Sequence, residues 1–153
     1  MTEHSVNGMA LDRDRMMILS LRPRFADAIL SGVKTVELRR TEPGIRVPTL
    51  AFVYASTPVR ALLGTCVVTS VESGHLGALW RVHGAGSGLD HGEFLSYFEG
   101  VEAGTALHLA SPRRFSRPIP LVELRSRPTG FHPPQSFSYV DAETGNRLLQ
   151  MAA

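Results

Sequence analysis

The stretch SGVKTVELRR, Ser31–Arg40, joins a predicted helix to a predicted strand and decides the fold. Gly32 suits the left-handed position just past a helix end, and Thr35–Arg39 alternates polar and apolar side chains as a strand does. Lys34 is the only lysine among the 16 basic residues of this 153-residue chain, and all the others are arginines. The junction therefore holds one unusual charged side chain, followed three positions later by Glu37.

The direction of the Lys34 side chain depends on where the strand begins. In a regular strand Lys34 and Glu37 point to opposite faces, so they share one cleft only if Lys34 still belongs to the turn after Gly32. We expect that it does. Val36 and Leu38 then anchor the strand in the core, and Glu37 leaves on the other face.

The chemistry of the two residues leaves alternatives open. A desolvated lysine can lose its proton, whereas arginine cannot. Lys34 could act as a base, could hold a phosphate oxygen or a base carbonyl as a cation, or could have no function. Glu37 either orients Arg39 and Arg40 or accepts a hydrogen bond from an exocyclic amine, as in recognition of cytosine.

The residues around this junction predict short strands interrupted by helices. Strands are expected at 16–21, 35–39, 47–55, 61–72, 105–110 and 119–124, with a turn at 111–118. Gly64, inside the longest apolar run, indicates a bulge or a close backbone approach. Helices are expected at 22–31, at 75–82, from Asp90 in capping-box spacing with Glu93, and at 143–151. This pattern predicts an α+β fold, a small partly open β-barrel of five to six strands with two to three flanking helices.

Composition predicts one domain over residues 16–153, preceded by a disordered leader over residues 1–15. The N-terminal segment has no apolar core of signal-peptide length, and no apolar run approaches the ~20 residues of a membrane span. Cys66 is the only cysteine, which excludes an internal disulfide and fits the cytoplasm. Its place in an apolar run predicts a buried thiol.

The small net charge of +2 hides a segregation of charge. Residues 13–46 carry eight basic and four acidic side chains, and residues 113–127 carry five and one, so each segment has a net charge of +4. Residues 61–110 carry one basic and five acidic side chains, a net charge of −4. If the two basic segments meet in space, they form the positive face that a polyanion requires. Arginines scattered over the surface are the alternative.

The motif G-x-K-x-x-E-x-R, formed by Gly32, Lys34, Glu37 and Arg39, resembles the ASCH domain, a β-barrel family similar to the PUA RNA-binding domain. The resemblance includes ILSLRPRFADAILSG, VYASTPVRALLGTCVV and PPQSFSYV. The last of these is similar to a subgroup often described as predicted transcriptional regulators. The resemblance implies RNA binding in the cleft beside the motif, and some members are described as ribonucleases.

One branch of the family hydrolyses an acylated cytidine with a lysine, a threonine three residues later and a distant glutamate. Glu37 stands where that threonine would be, which argues against that mechanism here. We therefore expect an RNA- or nucleotide-binding protein with a regulatory role. The alternatives are an enzyme acting on RNA or on a modified nucleoside, with Lys34 and Glu37 catalytic, and an adaptor that binds proteins through the acidic middle.

The expected partners are single-stranded RNA, a nucleotide or a nucleoside, with no membrane and no cofactor. Arg46 is a further candidate for phosphate binding. The six histidines form no HxxxH or HxH pair, so no metal site is expected. The predicted nucleic-acid-binding residues are Arg22, Arg24, Lys34, Glu37, Arg39, Arg40, Tyr54, Ser56, Thr57, Gln135 and Ser136.

Overall fold

A computed structural model describes residues 5–6, 9–12, 14–126 and 131–153. The strands are β1 Ser5–Val6, β2 Met9–Ala10, β3 Arg15–Leu21, β4 Val36–Arg39, β5 Thr49–Ala55, β6 Ala61–His75, β7 Ala103–Pro120 and β8 Phe137–Asp141. The helices are α1 Pro23–Leu30, α2 Leu76–His83, α3 His91–Tyr97, α4 Leu121–Ser126 and α5 Ala142–Met151, with a 3-10 turn at Gly84–Gly86. The predicted α+β class is confirmed, and the described residues form five helices where two or three were expected.

Six of the strands form one sheet in the order β4-β7-β6-β5-β3-β8. All neighbouring pairs are antiparallel except β3 and β5, which are parallel. Among the described residues β4 and β8 are the two edges, so the sheet is open and the predicted barrel is not closed. The parallel pair needs a crossover, and α1 and β4 lie within it.

The interior divides into three apolar clusters. The first lies between α1 and the β3, β5 and β6 strands and contains Cys66, where burial raises the pKa of the thiol to about 12. The second lies between the sheet and the helices α4 and α5. In the third, Val36 and Leu38 pack on Phe94 and Phe98 of α3. These contacts confirm that β4 is anchored by its two apolar side chains.

The strand β7 corrects two predictions made from the sequence. Residues 111–118 continue the strand instead of forming a turn, and the strand predicted at 119–124 ends at Pro120 and becomes α4. The prolines misled the prediction because Pro112 and Pro118 fall in stretches of β7 that the pairing with β6 skips. A missing N–H does no harm at such a bulge.

The helix α3 begins at the predicted capping box, in which Asp90 and Glu93 each accept the other's backbone N–H. Phe94 in this helix and Phe98 at its end are buried, and Leu95 is exposed.

Part of the predicted leader pairs with itself, since β1 and β2 are antiparallel. Residues 1–4, 7–8 and 13 of that segment lie outside the described residues, and the domain boundary at Met16 stays a prediction. Among the described helices the longest is α5 with 10 residues, and none is long and apolar enough to cross a membrane.

A substitution at Gly64 tests how closely β6 approaches β7. The β6–β7 register shifts next to it, as predicted, and a Cβ at this position would lie 2.3 Å from the Arg113 carbonyl oxygen and 2.8 Å from the Leu30 Cδ2 atom. Gly64→Ala should therefore lower the free energy of unfolding by about 1–3 kcal/mol, the usual cost of overpacking. Urea unfolding followed by circular dichroism measures this.

Gly74→Ala is the matched control, because Gly74 lies on the same strand and a Cβ there would meet nothing within 4 Å. Its unfolding free energy should stay within about 0.5 kcal/mol of the wild type. Equal losses for the two variants would contradict the close approach.

Candidate functional site

The Lys34 side chain begins in the turn between α1 and β4, as predicted. Gly32 follows the helix with a φ of 83°, the left-handed conformation that glycine adopts without strain. The Lys34 N–H donates to the Ala28 carbonyl at 2.9 Å, which keeps this residue on the end of the helix. Because β4 starts only at Val36, the strand alternation does not separate Lys34 from Glu37.

The Lys34 ammonium is buried and has three acceptors. Its Nζ atom lies 2.8 Å from the Val36 carbonyl oxygen and 3.1 Å from Glu37 Oε1, and it also donates to the Ser87 carbonyl. The residue is 3% exposed. An ammonium has three protons, so every one of them has a partner within the protein.

Burial lowers the pKa of the Lys34 amine below its usual value, because the charged form loses its hydration. The Glu37 carboxylate acts in the opposite direction, and the nearby Arg39 guanidinium adds to the lowering. The net direction of the shift is downward.

Glu37 holds the two cations of the motif together. Its Oε2 atom lies 2.6 Å from Arg39 Nη2, while Oε1 accepts from Lys34. Arg39 is also nearly buried and donates to the Ser136 hydroxyl and, at 3.3 Å, to the Ser20 carbonyl. Its Nε–H is buried and has no hydrogen-bond partner among the described residues. This geometry supports the interpretation that Glu37 orients Arg39.

These three residues form the floor of a cleft of about 600 Å³, called here the Lys34 cleft. The cleft is walled by the end of β3, the start of α1, β4 and the α3 helix. Two aromatic side chains line it, Phe25 from α1 and Tyr97 from α3. Neither residue is a predicted site residue, because helical spacing within one segment does not show which residues of another segment share a cleft with it.

A second, smaller pocket of about 330 Å³ adjoins the Lys34 cleft, since Ser20 lines both. It collects Tyr54, Ser56 and Thr57, together with the proline loop at 133–134. Tyr54 itself is 3% exposed, and its ring centroid lies 5.7 Å from that of Phe131. The structure therefore brings this predicted group beside the cleft, with the tyrosine ring mostly buried.

The remaining predicted residues differ in their positions. Arg22 is exposed and lines the Lys34 cleft. Arg24 forms an ion pair with Glu93 at the cleft wall. Arg40 donates to the Tyr97 and Glu99 carbonyls at 3.1 and 3.0 Å, so it caps the end of α3. Neither Arg46 nor Gln135 lines the cleft, and both are exposed.

The two basic segments do meet in space. Arg114 of the second segment lies 3.2 Å from Asp27 in the first. Arg125 of the second segment lines the pocket that adjoins the Lys34 cleft, where Arg60 also lies. The cationic side chains thus continue from Arg22 and Arg39 into the smaller pocket.

The model of the ASCH domain matches residues 19–118, which include the Lys34–Glu37–Arg39 network. The chain belongs to the ASCH domain family. It is 34% identical over 136 residues to an ASCH domain-containing ribonuclease from Zymomonas mobilis, covering 89% of this chain and 91% of that protein.

Solved structures agree with this assignment. The crystal structure of ASCH from Zymomonas mobilis superposes with a TM-score of 0.85 at 34% identity, covering 92% of this chain and 96% of that chain. Human THYN1, solved in complex with DNA containing 5-methylcytosine, has a TM-score of 0.55 at 11% identity over 90% and 97% of the two chains. At that identity the likeness shows a shared fold.

The buried network can be tested with Glu37→Gln. The amide leaves two buried cations without their shared countercharge, so the free energy of unfolding should fall by about 3–5 kcal/mol. Glu143→Gln is the control, because Glu143 is exposed and its ion pair with Arg147 is worth less than about 0.5 kcal/mol. Denaturant unfolding at neutral pH measures both, and a loss no larger than in the control would show that Glu37 does not hold the network.

Proposed function

We propose that this protein binds single-stranded RNA in the Lys34 cleft. The observation that carries the proposal is the buried network of Lys34, Glu37 and Arg39 on the floor of an open cleft lined by two aromatic side chains. An isolated buried charge is costly, and a network that satisfies almost every polar atom holds its cations in place before any ligand arrives.

The shape and the side chains of the cleft fit an unpaired nucleotide. Its volume of about 600 Å³ lies within the range of small-ligand sites. Phe25 and Tyr97 offer aromatic surface to a base, which is available for stacking only when the strand is single. The exposed Arg22 offers donors to phosphate oxygens.

The adjoining pocket extends the site by enough room for about one further phosphate group of a bound strand. Arg60 and Arg125 line it together with Tyr54 and the proline loop. A backbone that leaves the Lys34 cleft past Ser20 would meet these two guanidinium groups. The relative from Zymomonas mobilis, named as a ribonuclease, supports RNA as the polymer. A regulatory role stays a prediction.

Arg22→Ala tests the contribution of the cleft to binding. Fluorescence anisotropy with a short labelled single-stranded RNA should show binding about tenfold weaker, because a hydrogen bond to a charged group contributes about 1.5 kcal/mol. The slope of log affinity against log salt should become less steep by about 0.7, the value for one lost phosphate contact on a single strand.

Arg81→Ala is the matched control, since Arg81 is an exposed arginine on α2 outside the cleft. It should bind as the wild type does. Equal effects of the two substitutions, or wild-type affinity that is insensitive to salt, would contradict binding in this cleft.

A second candidate function is cleavage of the bound RNA, favoured by the name of the relative that is 34% identical. In this reaction a base removes the proton of a ribose 2′-hydroxyl, and the 2′-oxygen attacks the adjacent phosphorus to form a cyclic phosphate. The bond from phosphorus to the 5′-oxygen breaks, and that oxygen takes a proton from water. We propose Lys34 as the base, since it lines the cleft and burial lowers the pKa of its amine. Arg39 would stabilise the charge on the phosphate oxygens.

Lys34→Ala and Lys34→Arg test this role. Both should reduce turnover of a single-stranded RNA by about 10²–10⁴, the usual contribution of a general base. The neutral amine becomes more abundant as pH rises, so the wild-type rate should increase with pH and level off below 10.5. This basic limb should be missing from the residual activity of both variants.

Arg81→Ala should keep full turnover and the same pH profile. Circular dichroism must show that the Lys34 variants are folded. If folded Lys34→Ala retains the wild-type rate, Lys34 is not the base, and the binding proposal is unaffected.

A further inference from the structure

Three side chains with no role in the proposed function converge where the end of α2 packs on the β6–β7 pair. Glu72 comes from β6, His108 from β7 and His83 from the end of α2. One ligand atom from each lies within 4.8 Å of the other two. His83 Nε2 lies 2.9 Å from Glu72 Oε2, and His108 Nε2 lies 3.7 Å from Glu72 Oε1.

Hydrogen bonding within the protein does not account for the whole cluster. In the part of the chain that the structure describes, the buried His108 Nε2 has no hydrogen-bond partner, although it lies 3.7 Å from the Glu72 carboxylate. The two imidazole centroids are only 4.8 Å apart, in an edge-on arrangement. A buried polar atom without a partner is costly unless something outside the protein satisfies it.

We propose that Glu72, His83 and His108 bind a divalent transition-metal ion, with Zn²⁺ the best match. Two imidazoles and one carboxylate are a common zinc ligand set, and imidazole favours transition metals over Mg²⁺ or Ca²⁺. Ligand atoms around a tetrahedral zinc ion are about 3.3 Å apart, given bonds of about 2.0–2.1 Å. The two imidazole nitrogens lie 2.9 and 3.7 Å from the two oxygens of the Glu72 carboxylate, and one ligand atom from each residue lies within 4.8 Å of the others, so small side-chain rotations would bring the three onto one ion.

The burial of the three residues suits an ion that enters from solvent. His83 is 6% exposed, so its side chain is held in place by its neighbours. The Glu72 side chain is 56% exposed, so an ion can reach the cluster from solvent on that side. Three protein ligands leave one tetrahedral position on the open side for a water molecule.

The position of the cluster gives the ion a structural effect. It joins α2 to the two longest strands of the sheet, immediately before the 3-10 turn at Gly84–Gly86. The next residue, Ser87, accepts a hydrogen bond from Lys34. A bound ion would therefore hold the end of α2 on the sheet and steady the loop that supports Lys34.

The sequence does not indicate this cluster, because its histidines are not paired at short spacing. His83 and Glu72 are 11 residues apart, and His108 reaches them only through the β6–β7 pairing.

The experiment uses the full chain without an affinity tag, freed of metal by a chelator that is then removed. Zn²⁺ is titrated by calorimetry, and Co²⁺ is added as a spectroscopic probe. We expect one ion per chain, a visible absorption band from Co²⁺ that Zn²⁺ abolishes, and a Zn²⁺-dependent rise in Tm.

Glu72→Gln and His108→Gln should each weaken Zn²⁺ binding at least about 100-fold, the upper end of the loss seen when only an outer partner of a ligand is removed. Glu72 is exposed, so Glu72→Gln should fold without metal as the wild type does. His75→Gln is the control, an exposed histidine on the same strand outside the cluster, and it should bind Zn²⁺ normally. Equal Zn²⁺ affinity in Glu72→Gln and His75→Gln, or no Zn²⁺ binding by the wild type, would overturn the proposal.

Discussion

The Glu37 carboxylate, shared between the Lys34 ammonium and the Arg39 guanidinium, is the interaction on which the site depends. All three groups are nearly buried, so none of them can exchange its partners for water without a large cost. Through these cations Glu37 connects three parts of the chain. Lys34 binds the Ser87 carbonyl after α2, and Arg39 binds Ser20 at the end of β3 and Ser136 before β8. The network therefore fixes β4, an edge strand of only four residues, relative to the rest of the sheet.

The same network explains why the cleft is both positively charged and fixed in shape. The buried cations Lys34 and Arg39 are held by acceptors within the protein and give the cleft a positive potential, while the exposed Arg22 is available to a ligand. The aromatic side chains come from two different helices, α1 and α3. A single-stranded nucleic acid uses both kinds of contact, because its phosphates need charge and its bases need flat apolar surface.

Local signals predicted much of the fold. The helix end at Gly32, the capping box at Asp90 and the bulge at Gly64 are each confirmed, because they depend on the conformation or size of a single residue. The errors lie in β7. Two prolines there indicate a turn by every local rule, but they are tolerated where the strand bulges away from its partner, and the bulge is a property of the β6–β7 pair.

The sequence by itself determined the motif Lys34–Glu37–Arg39, its place at a helix–strand junction and the clustering of charge along the chain. These follow from spacing and residue type within a few positions. Only the tertiary structure decided which groups share a site. Phe25 and Tyr97, or Glu72, His83 and His108, meet because sheet pairing and helix packing bring distant segments together. Such contacts depend on non-local burial, which the pattern of a single segment does not contain.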